Sequence, residues 1–123
     1  MIRHGQKPYL ECSSKGDKRF SAFYARIKKF NNKSIEEMYQ ASKVFQDEDS
    51  ENVVSGLSIK EAKGKRATNQ MECTMIYSML WNIYIEENPE LLSVLKQYNG
   101  LSDIFGQEGH CCQATELWRI RNE

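Results

Sequence analysis

Apolar and polar residues alternate along the chain in two regimes. Up to about residue 30 the apolar positions come in short aromatic-rich runs, Tyr9-Leu10-Glu11-Cys12 and Phe20-Ser21-Ala22-Phe23-Tyr24. Ser13-Ser14-Lys15-Gly16-Asp17 separates them, and Asn31-Asn32 closes the region. Runs of this length bounded by turn formers predict small extended elements. Beyond residue 33 the spacing becomes helical. Ser34-Ile35-Glu36-Glu37 is a capping box, in which the serine oxygen accepts a backbone N–H and Glu37 reaches back. A helix therefore starts at Ser34, with Ile35, Met38, Ser42 and Phe45 along one face. Asp47 to Asn52 reads as an acidic loop. A second capping box, Ser58-Ile59-Lys60-Glu61, opens a short helix that Gly64 ends.

The longest helix is expected from about Gln70 to Glu86. Met71, Met75, Met79 and Ile83 recur every fourth residue beside Ile76 and Leu80, which predicts a methionine-rich buried face. Asn88-Pro89 breaks this helix, and Pro89 suits the first turn of the next. That helix buries Leu91, Leu92, Val94, Leu95 and Tyr98 before Asn99-Gly100 stops it. After a loop bracketed by Gly106 and Gly109, a last helix near Cys112 to Arg121 buries Leu117 and Ile120, with Trp118 at its border. The pattern predicts a helix-dominated α+β fold: about five helices, short N-terminal extended strands, and one core spanning residues 1–123.

A chain of 123 residues fits one domain, and 40% apolar content is enough for a core without disulfide or metal. Seventeen basic side chains balance seventeen acidic ones, so no overall basic field exists to hold a nucleic-acid backbone. The charge is uneven, however. Residues 15–33 carry Lys15, Lys18, Arg19, Arg26, Lys28, Lys29 and Lys33 against Asp17 alone, and Lys60, Lys63, Lys65 and Arg66 form a second basic cluster. No run approaches the about 20 apolar residues of a membrane span, and the N-terminus lacks a signal-peptide core. A cytoplasmic setting is expected, with no membrane partner. There Cys12, Cys73, Cys111 and Cys112 would be thiols, serving as packing residues rather than as zinc ligands with His110.

No phosphate-binding Gly-Lys-Ser/Thr loop, dinucleotide Gly-x-Gly-x-x-Gly, His-Glu-x-x-His or Gly-x-Ser-x-Gly occurs. Neither a metal nor a cofactor is expected. What remains is a polar stripe on the first helix, where Glu36, Gln40 and Lys43 stand at i, i+4 and i+7. Spacing alone also fits a solvated helix face. Aimed into a cleft, a carboxylate and an amine could cleave a glycosidic C–N bond. The acid would stabilise charge at the anomeric carbon or activate water, and the amine could attack that carbon.

The stripe also carries a resemblance. Phe20-Ser21-Ala22-Phe23, followed by Ser34-Ile35-Glu36-Glu37-Met38-Tyr39-Gln40-Ala41-Ser42-Lys43, resembles the signature of the NADAR family. Members show Phe-Ser-Asn-Phe, then Ser-x-Glu-His, an aromatic, Gln-Ala and Lys. The likeness continues in order through Glu61-Ala62-Lys63-Gly64, Asn88 to Leu95, Ser102-Asp103-Ile104-Phe105-Gly106 and Leu117 to Arg121. It implies an N-glycosidase acting on a nucleotide-like or ADP-ribosylated, guanine-type substrate. The partner would be a small nucleotide-like ligand or an ADP-ribosylated nucleic acid. It also implies Glu36 as the essential acid, Lys43 as a covalent or electrostatic partner, and Asp103, or Ser102 beside it, at the family's C-terminal acidic site, with Asp103 assisting. Phe20, Ser21, Phe23, Tyr39, Gln40, Phe105 and Gly106 would contact substrate. The chain departs from the family at Ala22, Glu37 and Phe105, and where members carry a tryptophan it has Asn69 or Gln70. The alternatives are a non-catalytic module, of a kind that phages and mobile elements encode, that binds ADP-ribose or a nucleotide or blocks a partner protein, and a nucleic-acid binder using Lys15 to Lys33.

Overall fold

The first helix forms where its cap demands. In the computed structural model, which describes residues 1–46, 53–55, 58 and 67–123, Ser34 is the N-cap of α1 (Ile35–Ser42). Its Oγ accepts the Glu37 N–H at 3.0 Å, and the Glu37 carboxylate accepts the Ser34 N–H at 3.4 Å. The helix stops one residue before Lys43, whose backbone is extended (φ −69°, ψ 138°). Phe45, expected on the same helix, instead lies in a strand and is buried against Ala67 and Cys73. Three further α-helices follow among the described residues: α2 (Gln70–Glu87), α3 (Glu90–Lys96) and α4 (Gln113–Arg121). The helix anticipated after Ser58 and the acidic loop from Asp47 to Asn52 lie outside the described residues.

Among the described residues seven short strands accompany them: β1 (Ile2–Gly5), β2 (Tyr9–Glu11), β3 (Arg26–Ile27), β4 (Lys33–Ser34), β5 (Val44–Gln46), β6 (Val53–Ser55) and β7 (Gly100–Asp103). The main sheet has the order β1-β7-β2, with β1 antiparallel and β2 parallel to the central β7. Gly100 is squeezed between both neighbours, and a Cβ there would run into the carbonyls of His4 and Gln6. β3 and β4 make a small hairpin whose turn residues Asn31 and Asn32 both have φ 58°, a left-handed conformation that asparagine tolerates. The Phe20 to Tyr24 run is not a strand. It follows a 3-10 turn, Lys18–Phe20, capped by Asp17.

One main core joins these parts as an α+β domain, with Phe45, Ala67 and Cys73 in a small second cluster beside it. α4 lies on β7 and β1, and α2 packs against α1, α4 and β3. Leu101, Leu117, Leu95, Leu80, Phe20, Ile27 and Ile35 are buried between them, and Trp81 is fully enclosed. The buried face of α2 is Cys73, Tyr77, Leu80, Trp81, Tyr84 and Ile85. The methionine stripe faces outward, with Met71 84%, Met75 71% and Met79 46% exposed. The helix is apolar on both faces, and aromatic volume determines which one enters the core. Arg121 closes α3 by donating to the carbonyls of Leu95 and Tyr98. Among the described residues no helix is long and apolar enough to cross a membrane.

Glu11 ties β2 to the chain beyond β7. Its carboxylate accepts the N–H groups of Ser13 at 3.0 Å and Ile104 at 3.2 Å. Burial by itself would raise this carboxyl, but hydrogen bonds from Ser13, Ile104 and Ser102 outweigh it and hold it below the ordinary glutamate value. A depressed folded value means that the stabilisation is present above the unfolded value of 4.5 and is lost as pH falls through the folded one. Glu11→Gln is therefore expected to flatten the loss of urea stability below pH 4.5, at a cost of no more than about 1 kcal/mol at neutral pH, because solvent screens this largely exposed carboxylate. Asp17, held down by its hydrogen bonds to Arg19, titrates in the same direction and accounts for part of the remaining slope.

Candidate functional site

Two carboxylates far apart in sequence meet at one hollow. Glu36 stands in the first turn of α1, where its N–H donates to the Ala22 carbonyl at 3.0 Å. The amide of Gln40, one turn on, donates to its Oε1 at 2.7 Å. Asp103 ends β7, the central strand, and is 4% exposed. Its Oδ1 accepts the Phe105 N–H at 3.0 Å, and its Oδ2 accepts the Gln113 amide at 2.9 Å and the Cys112 thiol at 3.6 Å. Gln113 also accepts the Ala22 N–H at 2.8 Å through Oε1. Ala22 is thus a joint, bonded through its N–H to the residue that holds Asp103 and through its carbonyl to Glu36. Both amide ends of Gln113 are used, so its orientation is fixed.

The hollow has a volume of about 160 Å³. Glu36, Asp103, Tyr77 and Gln113 supply polar walls, Phe23 and Phe105 aromatic ones, and Ser14 and Cys111 complete it. Phe23 and Phe105 are 53% and 59% exposed, which leaves their rings at the rim. Burial pushes the Tyr77 hydroxyl well above the ordinary phenol value; the Trp81 indole N–H works against this and the Glu36 charge adds to it. Tyr77 therefore faces the hollow as a neutral phenol, able to donate a proton in a hydrogen bond.

Lys43 lies elsewhere. Because α1 ends at Ser42, the i+7 position leaves the helical stripe. Lys43 lines a second, larger hollow of about 830 Å³. Its Nζ sits 5.0 Å from the centre of the Tyr39 ring and has no carboxylate within ion-pair distance among the described residues. Tyr39, Gln70, Thr74, His110 and Thr115 share these walls. Burial and the Cys111 thiol raise the Tyr39 hydroxyl. The first turns of α2 and α4 both border this space, and Glu116 lines it as well, so its walls carry a lysine and a carboxylate together. Cys111 lines both hollows, which makes them neighbours across its side chain.

The remaining expected contacts divide. Gln40 reaches the smaller hollow only through Glu36. Phe20 is fully buried in the core and Ser21 is fully buried beside it, so neither lines a hollow. Their run turns inward after the 3-10 turn. Gly106 lacks a side chain because Ile2 occupies the space that a Cβ would take. Tyr77, Gln113 and Ser14 were not anticipated. The spacing of Cys73, Tyr77, Leu80 and Tyr84 on α2 held the signal for Tyr77, in competition with the methionines. Nothing local marks Gln113.

No protein-family model matches the chain, and no curated protein matches it. The likeness to the NADAR family rests on the motif residues alone.

Proposed function

We propose that the smaller hollow hydrolyses an N-glycosidic bond in a nucleotide-like or ADP-ribosylated, guanine-type substrate. The observation that carries this reading is the convergence of Glu36 and Asp103 on one hollow rimmed by Phe23 and Phe105. Cleavage of such a bond leaves positive charge on the anomeric carbon. A carboxylate facing that carbon stabilises the charge and takes a proton from the attacking water. The new bond joins the water oxygen to the carbon, the C–N bond breaks, and the base leaves with its electron pair and acquires a proton. Glu36, restrained at one oxygen, fits the role of base. Asp103 is fixed by three donors and is suited to hold the sugar. The neutral Tyr77 hydroxyl is a donor for the departing base.

Ligand pockets usually measure about 300–1,000 Å³, so the smaller hollow accommodates the reacting sugar and the larger one the rest of the substrate. Lys43 then meets phosphate as a point charge and does not form a covalent adduct. Lys43→Ala is expected to raise KM about 5- to 10-fold, the value of roughly 1 kcal/mol for a partly exposed pair, with kcat within about 2-fold. Borohydride added during turnover is expected to trap no adduct on Lys43.

The reading is tested by incubating the protein with nucleosides, nucleotides and ADP-ribosylated guanosine while following base release by mass spectrometry. Release of free base from at least one of these substrates supports it. A thermal shift with ligand but no product would make the protein a binding module and overturn the hydrolytic reading.

A further inference from the structure

The basic side chains of the segment singled out in the sequence line neither hollow. All seven lysines and arginines between residues 15 and 33 are exposed. Lys15 lies in the turn from Ser13 to Gly16, and the other six stand on two 3-10 turns, Lys18–Phe20 and Lys28–Phe30, and the β3–β4 hairpin, a frame held from behind: Glu87 of α2 accepts the backbone N–H groups of Lys28 and Lys29 at 2.8 and 2.9 Å. This contact fixes the backbone and leaves both ammonium groups outside.

Carboxylates nearby neutralise only part of the patch. Asp17 pairs with Arg19 at 2.6 Å, and Glu37 lies 3.7 Å from Arg26. Lys15, Lys28, Lys29 and Lys33 have no side-chain carboxylate partner among the described residues. Between these cations in the sequence, two consecutive aromatic side chains, Phe23 and Tyr24, stand half in water. The Lys18 ammonium sits 4.7 Å from the centre of the Tyr24 ring.

Half-exposed rings interleaved with unpaired cations match the chemistry of an unpaired nucleic-acid strand, in which bases stack on rings and phosphates meet lysines. A duplex hides its base faces and would use only the charges. We infer that the surface between residues 15 and 33 binds single-stranded nucleic acid, with Phe23 and Tyr24 as its stacking platform. Phe23 also rims the smaller hollow, so a strand on this surface passes its mouth. The binding does not depend on whether that hollow is catalytic.

Fluorescence anisotropy with a labelled single-stranded 20-mer, as DNA and as RNA, tests the inference against a duplex of the same sequence and against polyglutamate. The single strand is expected to bind at 50 mM salt and to weaken as salt rises, with a log–log slope of about −0.7 per phosphate contacted. Tyr24→Ala is expected to weaken binding about 5-fold or more with the slope retained, and Lys28→Gln with Lys29→Gln to make the slope shallower. These side chains are exposed, and thermal melts check that the variants stay folded. No binding by the wild type at 50 mM salt, equal binding of duplex or polyglutamate, or affinity unchanged in both variants would overturn it.

Discussion

Glu36→Gln is expected to lower turnover by about 10²- to 10⁴-fold, the contribution of one positioned acid–base group, with the melting midpoint nearly unchanged. The geometry explains both halves of this result. The amide keeps a carbonyl oxygen for Gln40, whose donor meets Glu36 Oε1 at 2.7 Å. The backbone bond from residue 36 to Ala22 is untouched. What disappears is the negative charge facing the hollow and its capacity to take a proton. KM is expected to move little, because the lost interaction belongs to the transition state. Full activity in this variant on a substrate that the wild type cleaves would remove Glu36 from the chemistry. A loss of activity accompanied by a lower melting point would indicate a structural role instead.

The second large effect concerns stability. Trp81 is fully buried, and Tyr77 and Tyr84 contact it edge-on, with ring centres at 6.4 and 5.6 Å. Trp81→Ala is expected to cost about 3–5 kcal/mol, combining lost transfer energy with the cavity left behind. Domains of this size are typically stable by about 5–15 kcal/mol, so the variant retains little margin and its midpoint in urea falls sharply. Trp81→Phe is the informative companion. The indole N–H has no acceptor in full hydrogen-bond geometry and only a weak contact with the Tyr77 hydroxyl, so its removal costs little beyond the lost volume. A cost of about 1–2 kcal/mol is expected there. Equal losses in both variants would mean that the indole N–H, not the ring, holds the core together.

Legibility in the sequence followed the range of the interaction. The capping box at Ser34 and Glu37 is a contact across three residues, and it appears in the structure as anticipated. The long helix was also legible, because Asn88-Pro89 ends it chemically. Its orientation was not. Met71, Met75 and Met79 repeat at the same interval as Cys73, Tyr77, Trp81 and Ile85, and periodicity cannot rank two apolar faces. The central strand β7 is four residues that begin with glycine, and its pairing with β1 spans nearly the whole chain. No local pattern announces such a strand. The same holds for the hollow. Glu36 and Asp103 were singled out separately, but their meeting depends on Gln113 and Ala22, which carry no motif of their own. Lys43 falls just beyond the end of α1. Had α1 run one turn further, its amine would share the face of Glu36; ending at Ser42, it turns into the neighbouring space.

The most direct measurement is a crystal structure of the Glu36→Gln protein with a substrate that the base-release assay identifies, since the variant should bind without turning over. The anomeric carbon is expected between residue 36 and Asp103, the base against Phe23 or Phe105, and the phosphates beside Lys43. A substrate bound away from both carboxyl positions, with the smaller hollow empty, would contradict the assignment of that hollow as the site of hydrolysis.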